Sequence, residues 1–252
     1  MGPIADDHVT LSQGDAADSL VETLRARISD AADPERAPAM QAYMKSAMPF
    51  RGVAAAPLRR ICREVLDAHR LEDRATWQRA VRALWDAAGY REERYAALVL
   101  TGHRFYRAFQ DPASLDLYRH LVQTGAWWDL VDGVATNRVG PILRADRAAV
   151  APVVRSWAHD PDLWLRRTAV LAQLRAGSAT DTALLADVLE ANLQDSPHGH
   201  DFFIRKAVGW ALREYARTDP GWVSTFVDEH AGRMSGLSRR EALKHLRSSP
   251  PR

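Results

Sequence analysis

The chain has 252 residues, 46% hydrophobic and 26% charged, with a formal net charge of +2. That balance supports a real core, and the length suits one large domain, two ordinary ones or a repeat array. No apolar run nears the roughly 20 residues of a membrane span, and a lone cysteine, Cys62, excludes internal disulfides, cysteine-rich zinc sites and iron–sulfur clusters.

The small net charge hides an asymmetry. Residues 1–35 hold eight of the 32 acidic side chains and two of the 34 basic ones, which leaves residues 36–252 with a surplus of eight positive charges. Only Lys45, Lys206 and Lys244 are lysines. Arginine suits bidentate contacts to phosphate; abundant Arg and Ala equally reflect a GC-rich coding sequence. The charge permits a polyanionic partner without requiring one.

In chain order, residues 1–15 read as a disordered acidic arm with Pro3 and Gly14 and no apolar period. Met1 to Asp18 carries neither a basic leader nor an apolar segment, so the expected compartment is the cytoplasm. From Ala16 onward, helix follows helix. Leu20, Leu24, Ile28 and Ala31 keep helical spacing, Asp33-Pro34 opens a second helix through Met40, Tyr43 and Met44, and Phe50-Arg51-Gly52-Val53 breaks the pattern. Further helices are expected at about 57–70, 74–88 and 91–110, the last with a stripe of Leu98, Phe105 and Phe109.

Asp-Pro recurs at 33–34, 111–112, 160–161 and 219–220 as a start signal, because Asp caps free N–H groups and Pro at the first position loses no needed donor. Ser238 with Glu241 is a capping-box candidate for the last helix. No segment reads as a strand. Dense amphipathic helices with short connectors point to an all-α bundle or stacked-helix solenoid. The polar stretch 194–200 reads as a loop.

Few residues offer chemistry. His198 and His200 with Asp195 and Asp201 read as a solvated loop rather than a metal site, and Cys62, within an apolar stripe, as a core thiol. Phosphate loops, metalloprotease helices and nucleophile elbows are missing from the sequence. What remains is Ala126-Trp127-Trp128-Asp129-Leu130-Val131-Asp132, together with 164–170 and 202–215. On a helix, Trp127, Leu130, Val131 and Val134 form a buried stripe, while Trp128 and Asp132 share a face rotated by about 100°. Trp127 is therefore expected to anchor the helix, with Trp128 as the working aromatic beside Asp132. In 202–215, Phe203, Ala207, Trp210 and Glu214 share one face and Lys206, Arg213 and Arg217 the next; Trp210 as core and the cations as a solvated face remain open alternatives.

At Tyr43-Met44-Lys45, Phe50-Arg51-Gly52-Val53, Trp127 through Asp132, Phe202 through Tyr215 and Leu237 through His245, the sequence resembles the AlkD family of bacterial DNA glycosylases. The resemblance runs in the family's order from about residue 35 to 247. It implies a superhelical solenoid of HEAT-like helix pairs with a concave DNA-binding face, as a single domain over 16–252. It implies excision of cationic N3- or N7-alkylated purines from duplex DNA by a monomer without cofactor or metal, the lesion staying stacked rather than flipped. Carried over by position, Trp128 and Trp210 become cleft walls, Asp132 the catalytic carboxylate, Arg167 and Tyr43 DNA contacts, with Lys45, Lys206 and Arg213 as further DNA-binding cations. No lysine neighbours Asp132 in sequence, so a monofunctional enzyme is expected unless a lysine approaches in space. The alternative is a non-catalytic DNA-structure binder on the same scaffold.

Overall fold

A computed structural model describes residues 13–244 and 246. Among the described residues every regular element is helical and none is a strand. The arm expected over 1–15 lies outside them as far as residue 12, as does His245, whereas residues 13–15, expected to be disordered, already belong to the first helix. By contacts, the chain divides into two compact units, Met1–Arg107 and Ala108–Arg252.

The first unit contains α1 (Gln13–Asp30), α2 (Ala37–Met44), α3 (Ala55–Ala68), α4 (Arg74–Asp86) and α5 (Arg91–Thr101). Leu20, Leu24 and Ile28 of α1 are fully buried, and α1 packs against α4, whose Trp77, Val81, Leu84 and Trp85 are fully buried too. Cys62 is buried on α3, and its thiol is pushed up to about 12 by that burial. The helix expected over 91–110 ends at Thr101; Gly102 follows and a 3-10 turn spans Arg104–Phe109. The kink brings Tyr106, not Phe105 or Phe109, into the core beside Trp77, where its hydroxyl accepts the Leu71 N–H at 3.2 Å. A continued helix would have kept the wrong aromatic inward.

Phe50-Arg51-Gly52-Val53 is a pinned turn. Buried Glu92 accepts the N–H groups of Arg51, Gly52 and Val53 at 2.9–3.1 Å. Gly52 has φ +85°, and a Cβ there would lie 2.0 Å from the Asp33 carbonyl oxygen. Only glycine satisfies both demands.

The second unit contains α6 (Leu115–Gly125), α7 (Trp128–Val134), a π-helical turn (Ala135–Val139), α8 (Gly140–Ala145), α9 (Arg147–Ala158) and α10 (Leu163–Leu171). It continues with α11 (Thr182–Glu190), α12 (Phe202–Tyr215), α13 (Pro220–Glu229) and α14 (Gly236–Ala242). Helix α10 packs against α6, α7, α9, α11 and α12, and α14 lies along α12. Two of the Asp-Pro signals act as expected: Asp111 accepts from Ala113 N–H and Asp219 from Trp222 N–H. The others act early, since α10 is capped by Asp162 and α2 begins three residues after Pro34. Ser238 is not a cap. Ser235 accepts the Ser238 N–H at 3.0 Å and starts α14, which frees Glu241 for another role.

Candidate active-site cleft

The site grows from the junction before α7. Ala126 is left-handed (φ 41°) and Trp127 extended (φ −154°, ψ 144°), so the helix begins one residue later than the apolar stripe suggests. Leu130, Val131 and Val134 are fully buried as expected. Trp127 anchors the segment from outside the helix, with ring centroids 5.3 Å from Phe203 and 6.0 Å from Trp164; those two rings are 5.0 Å apart. Such offset and edge contacts each add about 0.5–1.5 kcal/mol beyond area burial. Trp128 and Asp132, one turn apart, both face a cleft of about 500 Å³.

Helix α10 supplies two buried arginines with different fates. Arg166 donates to the backbone carbonyls of Asp160 (2.6 Å), His159 (3.1 Å) and Ala191 (3.1 Å), clamping loops together. Arg167 meets Asp132 in a fork, Nε to Oδ1 at 2.7 Å and Nη2 to Oδ2 at 2.8 Å, and its Nη1 donates to the Phe203 carbonyl. Three of its five N–H donors are thereby used. Burial pushes the Asp132 carboxyl above its ordinary range; the hydrogen bonds and charge of Arg167 pull it back, and nearby Asp129 adds a small upward push. The result is a carboxylate shielded from water but oriented by a fixed cation.

Helix α12 provides the opposite wall. Phe202, at its first turn, is 53% exposed, Phe203 belongs to the aromatic cluster, and Trp210 stands half-buried in the cleft. Lys206 and Arg213 both reach Glu241 of α14: Lys206 Nζ lies 3.2 Å from Oε1, and Arg213 donates to Oε2. The close approach of α14 depends on Gly209, where a Cβ would stand 2.6 Å from Glu241 Cβ and 3.0 Å from the Ser238 carbonyl oxygen. With Lys244 also at the edge, the cleft holds four basic side chains against two carboxylates.

Six of the eight expected site residues thus share one cleft: Trp128, Asp132, Arg167, Lys206, Trp210 and Arg213. Tyr43 and Lys45 belong to the first unit, Tyr43 78% exposed at the end of α2 and Lys45 its left-handed C-cap (φ 49°). Sequence reasoning missed Phe202, Glu241 and Lys244. Lys206 and Lys244 line the same cleft as Asp132, although no lysine neighbours it in sequence. Glu214 does not line this cleft: it pairs with Arg217 at 3.4 Å beside a separate hollow of about 270 Å³. His198 is occupied by Asp201 and the Pro161 carbonyl, each at 2.9 Å. Among the described residues, no three His, Cys, Asp or Glu side chains gather as a metal site, and no helix is long and apolar enough to cross a membrane.

The family model "DNA alkylation repair enzyme" matches residues 24–246. A solved structure described as a predicted DNA alkylation repair enzyme from Enterococcus faecalis is similar at 27% identity and a TM-score of 0.73, covering 86% of this chain and 98% of that one. No curated protein matches. With nearly the whole described chain matched, in sequence and in fold, the chain belongs to the DNA alkylation repair enzyme family.

Proposed function

We propose that this chain is a DNA glycosylase that hydrolyses the N-glycosidic bond of cationic N3- or N7-alkylated purines in duplex DNA. The observation that carries the reading is Asp132, fixed by Arg167 in a net-positive cleft lined by Trp128 and Trp210. A cationic purine is already a good leaving group, so one carboxylate suffices and no general acid is required. As the bond lengthens, positive charge develops on the deoxyribose, and Asp132 stabilises it and orients a water.

The pair geometry limits the gain. A sugar cation about 4 Å from the carboxylate gains roughly 4 kcal/mol at an effective dielectric near 20, and a guanidinium about 8 Å away on the far side takes back roughly 2. The remaining ~2 kcal/mol corresponds to about 30-fold in rate. Attraction of the cationic base and sugar to the two tryptophan faces adds about 0.5–2 kcal/mol per ring. Arg167 is the positioning residue for Asp132 in this reading, with two N–H donors left for the lesion strand. The open cleft and its cationic rim support grip of the backbone with the lesion still stacked. Lys206 is ion-paired to Glu241 in the free protein, which supports a monofunctional reaction.

The test is incubation of wild type and Asp132→Asn with methylated duplex DNA. Wild type should release 3-methyladenine or 7-methylguanine and leave the strand uncut, while the variant binds duplex but releases the bases at least about 30-fold more slowly. Normal release by Asp132→Asn sinks the assignment. Duplex binding without release by wild type leaves the DNA-structure binder instead.

A further inference from the structure

Glu241 is the one cleft anion that the proposed reaction does not use. Each of its carboxylate oxygens takes a different cation from α12, Lys206 on Oε1 and Arg213 on Oε2. The contact is built into the fold: Gly209 lets α14 approach until Glu241 Cβ packs on the α12 backbone. Burial alone would raise the Glu241 carboxyl, but the Lys206 hydrogen bond and the charges of Lys206, Arg213 and Lys244 outweigh it and hold the group low. Both paired cations remain partly accessible, Lys206 at 38% and Arg213 at 25% of their side-chain surface, and all three residues line the cleft. Two cations converging on the two oxygens of one anion is also how basic side chains grip a phosphodiester.

We propose that Glu241 occupies the place of a DNA phosphate in the free protein, holding Lys206 and Arg213 in phosphate-binding geometry and yielding them when a backbone phosphate enters the cleft. The inference rests on the DNA-repair reading above and adds a phosphate subsite together with the residue that guards it. Every duplex, damaged or intact, must displace the carboxylate. Glu241 therefore lowers affinity for bulk DNA without touching the reacting atoms, and so limits capture of the enzyme by undamaged sequence.

Wild type, Glu241→Gln and Glu241→Asp should be titrated with an unmodified duplex between 50 and 200 mM salt, and base release scored with a methylated duplex in parallel. Glu241→Gln should bind about tenfold more tightly at the low end, with a salt slope steeper by about 0.9 for each phosphate gained. Glu241→Asp, which keeps the charge but is too short to span both cations, should fall between. A folded Glu241→Gln with unchanged or weaker affinity overturns the proposal, as does Glu241→Asp binding more weakly than wild type. Tighter binding by Glu241→Gln with no base released by any of the three proteins overturns the glycosylase reading and keeps the phosphate stand-in. Release with unchanged affinity overturns the stand-in alone, and failure of all three to bind duplex overturns both.

Discussion

Asp132 is pulled two ways, and the balance has consequences for pH. Its carboxyl is raised by burial and restrained by Arg167. The folded protein therefore holds a proton there more tightly than the unfolded chain. The stability tied to this group is complete below the unfolded carboxylate pKa and is lost as pH rises through the higher folded value. At neutral pH the ionised carboxylate is a stability cost. The reaction proposed above has the opposite dependence, because only the ionised form stabilises a sugar cation. Excision should thus fall on acidification at a pH above the ordinary carboxylate range. Arg167→Gln removes the restraint, so its acid limb should lie at still higher pH; lost positioning, on the order of 10²-fold, outweighs the roughly 30-fold returned by removing the opposing charge, so the neutral-pH rate should fall by about threefold. Single-turnover rates across pH check this; an unshifted limb in Arg167→Gln would show that Asp132 does not depend on its partner. The sequence made Asp132 and Trp128 legible, because a four-residue offset puts them on one helix face. It did not reveal the Asp132–Arg167 fork from spacing, because 35 residues separate the partners and only tertiary packing brings them together.

At the scale of elements, helices were legible and their joints less so. Periodicity finds α1, α3 and α4 to within about two residues at most ends, the usual ambiguity of frayed termini. It fails where the chain changes direction between elements, as after α5, where the helix ends at Thr101 and the 3-10 turn that follows brings Tyr106 into the core. Phe50-Arg51-Gly52-Val53, one of the words that carried the family resemblance, proves to be a structural turn pinned by Glu92. Glu241 was read as half of a capping box because local spacing fits one; its cationic partners lie 35 and 28 residues away on another helix. The α12–α14 joint yields its own prediction. In Gly209→Ala the new methyl meets Glu241 Cβ and the Ser238 backbone, and backbone cannot rotate away as a side-chain tip does. Overpacking of this kind costs about 1–3 kcal/mol, or roughly 2–10 °C in Tm for a chain of this size. A thermal melt identical to wild type would mean that α14 is not seated as described.

For the whole molecule, the relevant quantity is where the excess positive charge can meet a polyanion. Residues 36–252 carry the surplus of eight, and the cleft presents Lys206, Arg213 and Lys244 once Arg167 is committed to Asp132. Glu241 offsets one of these three, so on the proposed function the cleft alone would neutralise two to three phosphates. The slope of log affinity against log salt should then be at least about −1.8 to −2.7, and raising salt fourfold should weaken duplex binding by about 10- to 40-fold. Contacts from elsewhere on the chain steepen this further. The chemical step should behave differently. The Asp132–Arg167 pair is buried, and mobile ions screen buried pairs far less than exposed ones. Salt should therefore raise the enzyme concentration needed for half-maximal excision while leaving the saturated single-turnover rate unchanged. Measuring both over 50–200 mM salt separates backbone binding from catalysis. A binding slope near zero would remove the phosphate contacts from the account, and a saturated rate that falls with salt would show that the reacting charge is exposed to solvent rather than held by Asp132 in a sheltered site.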